Sequence, residues 1–381
     1  MSQPKRILVI KFRHIGDVLL TTPLISTLKR GIPDSRVCAV VKPGTETMLE
    51  GLPDLDALYV VPMRQKDESA VGFFVRTLKF LRQLRQEHFD LAINTTEGDR
   101  GILLSWLIGA KERWGLVKDG REKTWQARLL TRQFKPLQGF VHTVIRNLAF
   151  AAPLGLKECR EVKLSVSESD KARLSVLLSE QGYAPSSESP LIHCHPTSRW
   201  MFKCWPADQM AKTIDWLHGQ GCRVALTCAP DARERAFLDS ILAACKTRPI
   251  DLGERLTLKQ TAALSGMSRL FFGVDSAPMH MSAAMGTPTL GIFGPSGTFD
   301  WGPWPNGLDG DGTPFPGWNG VKHMPPHGVV QDDRDCAPCG RDGCPSTKRS
   351  ECLEDLSADK VIHELGRMLG LTVAHLTPML R

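Results

Sequence analysis

Residues 6–33 read RILVIKFRHIGDVLLTTPLISTLKRGIP. The opening RILVIKF is a short apolar, β-branched run and reads as a buried strand. From Gly16 the spacing changes, and Val18, Leu19, Thr22, Ile25 and Leu28 recur at helical intervals over 16–33. A buried strand that turns straight into a helix is the opening of a parallel α/β sheet. The turn lacks two familiar phosphate sites. A dinucleotide fingerprint needs G-x-G-x-x-G and only Gly16 is present; a P-loop needs Gly-Lys-Ser/Thr, which is absent. What the turn does carry is Asp17, at the carboxyl end of a strand and the start of a helix. It is a candidate general base, and the alternative is a first-turn acid favoured by the helix dipole.

The strand–helix alternation continues outward from this stretch. VCAVV (37–41), LYVV (58–61) and LAIN (91–94) read as strands, with a long helix over 70–88. The rhythm lapses over 156–170, and 184–190 is rich in Ser and Pro, so a linker is expected within 156–188. It then restarts with strands at 191–195, 223–228, 249–252, 270–274 and 287–293, separated by helices at 206–219, 231–244, 257–265 and 276–285. Residues 294–335 are rich in Gly and Pro and read as loop. A last helix is expected over 357–370 with Ser357 as its N-cap. The expected division is 1–175, 176–356 and a C-terminal helix and tail over 357–381: two open α/β domains with ligands at the carboxyl ends of their strands, in a cleft.

Composition agrees. The chain has 381 residues, 42% hydrophobic and 23% charged, enough for two cores rather than a disordered chain. No apolar run reaches the ~18–20 residues of a membrane span. Lys11, Arg13, His14 and Asp17 break any secretory core near the start. Seven of the eleven cysteines are scattered, which suits a reducing compartment. A cytoplasmic protein is expected.

Two stretches of the second half carry chemistry. LIHCHPTSRWMFKCWP (191–206) is a strand followed by a loop in which Thr197 and Ser198 offer hydroxyls and Arg199 and Lys203 offer charge, a set suited to phosphate oxygens. FFGVDSAPMHMSAAMGTPTLGIFGP (271–295) turns from strand to helix with Ser276 at the N-cap and Pro278 in the first turn. Free N–H groups at such a start bind anions. Asp275 is suited to orient a sugar hydroxyl or a basic residue, or to cap the helix; His280 reads as helix packing or as a base. In CAPDARERAF (228–237), Asp231 or Glu234 is suited to a ribose hydroxyl, against a solvated helix start.

Charge is uneven. The formal net charge is +7, and residues 109–146 hold 9 basic and 3 acidic residues. Arg113, Lys118, Arg121 and Lys123 are the candidates for meeting an anionic acceptor and an anionic membrane surface. No recognition motif accompanies the charge, so nucleic acid is disfavoured. Cys336, Cys339, Cys344 and Cys352 are spaced C-x2-C-x4-C-x7-C. Such a set suits a structural metal, free redox-labile thiols or disulfides, and no catalytic metal is expected.

Taken together, FRHIGDVLLTTP, HPTSRWMFKCWP and FFGVDSAPMHMSAAMGTPTLGIFGP resemble the ADP-heptose:lipopolysaccharide heptosyltransferases, glycosyltransferase family 9. The resemblance spans roughly 5–370 and is most like the type III branch, which adds a branching heptose. It implies the GT-B architecture, two Rossmann-like domains facing a central cleft. It implies inverting transfer of heptose from ADP-heptose to the inner core of lipopolysaccharide, without a cofactor and at the cytoplasmic face of the inner membrane. Another nucleotide sugar, another core acceptor, or a non-catalytic nucleotide-sugar-binding role are the alternatives. Residue by residue, Asp17 becomes the base and Lys203 the cation at the donor phosphates. Thr197 and Ser198 become phosphate contacts, and Asp275, Ser276, Ala277 and His280 join the donor site. The ribose acid falls on Asp231 or Glu234. Ala277-Pro278-Met279 stands where many relatives read Gly-Leu-Ser, which removes one N–H donor.

Overall fold

The computed structural model describes residues 4–184, 189–308 and 312–371. The Ser-rich 185–188 and the tail from 372 lie outside the described residues. The chain divides into two compact units, Met1–Ser165 and Val166–Arg381.

The first unit runs β1 (Arg6–Lys11), α1 (Ile15–Leu19), α2 (Thr22–Gly31), β2 (Arg36–Val41), β3 (Ala57–Val60), α3 (Ala70–Gln86), β4 (Leu91–Asn94), α4 (Asp99–Leu107), β5 (Glu112–Leu116), β6 (Arg132–Phe134) and α5 (Thr143–Leu148). Its described strands form one parallel sheet in the order β3-β2-β1-β4-β5-β6. The central strands are buried along almost their whole length, as continuous apolar runs require. The single helix expected over 16–33 is two. Pro23 has no N–H to give to the Leu19 carbonyl, so the helix restarts there with Pro23 in the first turn of α2. The Thr22 hydroxyl donates to the Leu19 carbonyl instead, at 2.9 Å.

The second unit runs α6 (Glu168–Glu180), β7 (Leu191–His195), α7 (Ala207–Gly219), β8 (Arg223–Thr227), α8 (Ala232–Ala244), β9 (Ile250–Gly253), α9 (Leu258–Met267), β10 (Leu270–Val274), α10 (Ala277–Ala284), β11 (Thr289–Phe293), α11 (Thr298–Trp301), β12 (Val321–Met324), β13 (His327–Gln331), α12 (Glu351–Glu354) and α13 (Ala358–Leu369). The sheet order is β12-β13-β11-β10-β7-β8-β9, parallel except for the β12–β13 hairpin. That hairpin lies inside the stretch expected to be loop. β13 is fully buried and pairs with β11, so an apolar GVV between turns is a strand here.

The division at Ser165 falls ten residues before the expected 175, because α6 caps itself with Ser167 and packs Leu174, Leu177 and Leu178 against α9 and β9. The last helix is α13, and its start is capped as expected: the Ser357 hydroxyl accepts from the Lys360 N–H. Val361, Ile362 and Leu365 of α13 join Met210, Ile214 and Leu217 of α7 in one core cluster of this unit. Burial of each such side chain contributes about 1.5–3 kcal/mol, which seats α13 firmly on the second unit.

Candidate active site

In both sheets the strand order switches sides next to the unit's first strand. In the first, the chain lays β2 and β3 on one side of β1 and then places β4 on the other. In the second, β8 and β9 lie on one side of β7 and β10 on the other. At such a point the loops leaving two adjacent strands diverge, and the opening between them receives ligands in open α/β sheets. The candidate residues fall on these loops: Asp17 after β1, Thr197–Lys203 after β7, and Asp275–Ala277 after β10.

In the second unit the Lys203 ammonium lies 2.6 Å from Asp275 Oδ2. Asp275 is buried, and its own N–H is spent on the Ile292 carbonyl at 3.1 Å. Next to it, Ser276 occupies the N-cap position of α10 but its hydroxyl does not cap the helix. Ser276 Oγ is buried with no hydrogen-bond partner among the described residues. A buried orphan hydroxyl is costly unless a ligand meets it. Together the cation, the orphan hydroxyl and the positive end of α10 suit a diphosphate. Pro278 sits in the first turn and lacks an N–H, so Ala277 supplies the backbone donor there. His280 is buried one turn on, edge-on to Trp301 with ring centroids 6.4 Å apart. Ser198 Oγ accepts from the Trp200 N–H at 3.3 Å.

The two candidate ribose acids separate. Asp231 caps α8 by accepting from the Arg233 and Glu234 N–H groups and pairs with the Arg233 side chain, which lowers its pKa. Glu234 is buried; its Oε2 accepts from the Thr197 hydroxyl at 2.7 Å and from the Ala229 N–H at 3.2 Å. β8 is β7's neighbour, so the helix after it delivers Glu234 to the loop that carries Thr197.

Behind this pair runs a buried polar chain that the sequence did not announce. The Glu234 carboxylate accepts from Thr197. Thr197 Oγ1 lies 3.4 Å from His195 Nε2, and His195 Nδ1 lies 2.9 Å from Thr227 Oγ1. Thr227 Oγ1 is 2.8 Å from His193 Nε2, and His193 Nδ1 is 2.8 Å from Ser265 Oγ. Thr227 has one hydroxyl proton and sits between two ring nitrogens, so it donates to one imidazole and accepts from the other. Burial holds both neutral: His195 is pushed down to about 3 and His193 well below its ordinary value. Thr227→Val keeps the shape and orphans one nitrogen on each ring. A loss of about 1–3 kcal/mol per orphaned group is expected, read as a lower urea midpoint at unchanged slope; an unchanged midpoint would show that the chain carries no stability.

The same burial sets a pH dependence. An unfolded histidine takes up its proton near pH 6.5, whereas folded His195 resists until about 3, and buried His327 until about 4. Between those values the unfolded chain binds more protons, so stability falls as pH drops below about 6.5. Each histidine contributes a slope of up to about 1.4 kcal/mol per pH unit. Urea midpoints at pH 7.5 and pH 5 check this, and equal midpoints would refute it.

In the first unit Asp17 lies in the first turn of α1, buried, and its Oδ2 accepts from the His14 N–H at 3.3 Å. Its Oδ1 is 3.8 Å from Lys11 Nζ and 3.9 Å from Arg13 Nε. Lys11, the last residue of β1, is a neighbour of this candidate base that the sequence pattern does not single out. It is buried, its ammonium donates to the Thr95 carbonyl at 3.4 Å, and burial outweighs the pull of Asp17 to lower its pKa. Thr96 Oγ1 accepts from the Phe12 N–H at 3.0 Å, so the loops after β1 and β4 are tied together around the carboxylate.

The four acceptor candidates are not equivalent. Arg113 spends its guanidinium on the carbonyls of Leu129, Ala110 and Lys111, at 2.6–3.2 Å, and ties β5 to the following loop. Lys118 pairs with Glu97 at 3.0 Å and Arg121 with Asp99 at 3.5 Å. Lys123 is exposed and makes no ion pair among the described residues. The four thiols at 336–352 also depart from a metal site. Among the described residues no group of three or more His, Cys, Asp or Glu side chains is placed to hold a metal ion. Cys336 and Cys339 are exposed, whereas Cys352 is buried and pushed up to about 12 by that burial.

Comparison with known proteins shows the family and the fold. The model of glycosyltransferase family 9 (heptosyltransferase) matches residues 77–309. Lipopolysaccharide heptosyltransferase 3 of Escherichia coli K12 is 33% identical over 294 residues, covering 77% of this chain and 83% of that protein. Among solved structures, a family 9 glycosyl transferase from Veillonella parvula superposes with a TM-score of 0.76 at 21% identity, covering 97% of this chain and 98% of that one. The E. coli ADP-heptose LPS heptosyltransferase II superposes with a TM-score of 0.70 at 20% identity, covering 96% and 98%. The fold is accordingly that of the GT-B enzymes, two Rossmann-like units in series. The chain belongs to glycosyltransferase family 9, the heptosyltransferases.

Proposed function

We propose that the protein transfers heptose from ADP-heptose to a heptose of the lipopolysaccharide inner core, adding the branching third unit. The observation that carries the donor half is the Ser276 Oγ at the start of α10, without a partner among the described residues, beside the Lys203–Asp275 pair. An anion that met all of these would satisfy the orphan and gain the helix's positive end. The likeness to lipopolysaccharide heptosyltransferase 3 favours the third heptose.

In this reading the acceptor hydroxyl attacks the anomeric carbon and its proton passes to the Asp17 carboxylate. The bond from that carbon to the β-phosphate oxygen breaks, and ADP leaves with the electron pair. Lys203, Ser276 and the Ala277 N–H stabilise charge as it develops on the diphosphate. Asp275 orients Lys203, and Glu234 with Thr197 takes the ribose. A positive site of this kind needs no divalent ion.

No helix among the described residues is long and apolar enough to cross a membrane. The reading places the enzyme on the cytoplasmic face of the inner membrane, where a lipid-anchored acceptor is found. Incubation with ADP-heptose and lipopolysaccharides truncated at successive core positions tests it. A mass gain of one heptose, only on cores that already carry two, is expected. Gain with another nucleotide sugar in place of ADP-heptose would overturn the donor assignment, and gain on shorter cores would overturn the acceptor.

A further inference from the structure

Helix α3 reads AVGFFVRTLKFLRQLRQ from Ala70 to Gln86. One face seats it: Phe80 and Leu84 are buried against Leu8, Ile10 and Val40 of the sheet and against Phe89. The opposite face repeats at the same helical interval. Val71, Phe74, Val75 and Leu78 follow one another at i, i+3, i+4 and i+7, and are 72%, 60%, 43% and 48% exposed. Arg82 and Arg85 continue the same stripe, so the outward face is apolar in its first half and cationic in its second. The helix contains four basic residues and no acidic one. Arg76 is held by Glu68 at 2.6 Å, but Lys79, Arg82 and Arg85 make no ion pair among the described residues. Beside this face a groove lined by Leu78, Leu81, Arg82, Arg85 and Leu107 leads to the end of α4, where Trp106 and Leu107 are themselves exposed.

Isolated exposed apolar residues are ordinary, but a continuous stripe joined to an exposed Trp–Leu pair is a patch. Its charge narrows what covers it. A second copy across a two-fold axis would bring this cationic helix against itself. Apolar side chains, an interfacial Trp and unpaired cations on one helix fit the boundary of an anionic bilayer, with the apolar half entering the acyl region and the cations at the headgroups.

We propose that α3, with Trp106 and Leu107, is the element by which the first unit docks on an anionic lipid surface. This deepens the membrane reading given above and rests on it. It also relocates the contact from Arg113, Lys118 and Arg121, whose charges are already engaged, to a helix whose last three cations hold no counter-ion among the described residues.

The test uses the full chain and vesicles that contain neither donor nor acceptor. Sedimentation with phosphatidylglycerol–phosphatidylcholine vesicles is expected to exceed that with phosphatidylcholine alone, and to weaken with added salt. Lys79→Gln/Arg82→Gln/Arg85→Gln should lower partition by about fivefold per cation, roughly 100-fold in all. Phe74→Ser/Leu78→Ser should lower it by about tenfold or more. Both variants alter exposed side chains and should keep transfer to a deacylated, water-soluble core acceptor. Wild-type binding by both variants, or no preference for the anionic vesicles, overturns the proposal. So does a dimer in solution that Phe74→Ser/Leu78→Ser dissociates, since a second copy would then cover the face. Failure of heptose transfer with vesicle binding intact would instead strike the proposed function and leave the docking helix standing.

Discussion

In Asp17→Asn, glycosyl transfer falls by about 10²–10⁴-fold while ADP-heptose still binds. The amide keeps the carboxylate's shape and one of its acceptor oxygens, so the His14 N–H retains a partner. What it loses is the capacity to take the acceptor's proton. The donor contacts assigned above belong to the other unit, and donor affinity should hold. The substitution also strips Lys11 of its nearest counter-charge, and Lys11 is buried. Its pKa is already lowered by burial, so it can shed its proton instead of unfolding the site. Donor titration, single-turnover rate and urea midpoint together check the prediction. Full turnover with an intact fold would remove Asp17 as the base.

Lys203→Ala is the second large effect. A charge-assisted bond to the diphosphate contributes about 1.5–3 kcal/mol, which corresponds to a loss of about 10–100-fold in donor affinity. The variant also leaves Asp275 buried without its cation, and that cost must be separated from the lost ligand contact. Asp275→Asn in the Lys203→Ala background does so, because it removes the stranded charge. If Lys203 meets phosphate, the double variant regains stability but not ADP affinity. Calorimetric titration with ADP reads this directly. Unchanged ADP affinity in Lys203→Ala would mean that the ammonium serves Asp275 alone.

Much of this fold was legible, and the exceptions share a cause. β1, β2, β4, β7, β8, β10 and β11 are apolar runs of the length a sheet interior demands, and all were expected. β6, RQF at the sheet edge, and β5, ERWGL beside it, carry charges and present no apolar run. β13 was hidden in Gly- and Pro-rich sequence because only its neighbours β11 and β12 make GVV a strand.

At the site, residue types announced what sits on the loops but not what faces them from elsewhere. Lys11 at a strand end reads as the edge of the solvent, yet Thr95 closes over it. Arg113 reads as a free cation, yet Leu129, 16 residues on, supplies the carbonyl that engages it. Asp231 was the exception: the D-A-R-E run, with its acid just ahead of a helix, already describes a cap. His193 and His195 alternate with apolar residues in a buried strand, and only the positions of Thr227 and Ser265 reveal what they bind.

Each sheet draws its strands from one uninterrupted stretch of chain. This has a consequence for synthesis. No strand of the first sheet waits for residues beyond Ser165, so its core can close while the second unit is still being made. At ~5–20 residues per second, translating the second unit takes on the order of 10–40 s. A first unit that closed in that interval would already carry the outward stripe of α3. On the proposal above, the ribosome-bound half would reach the bilayer before the donor site exists, and the enzyme would be completed at the surface where its acceptor is anchored.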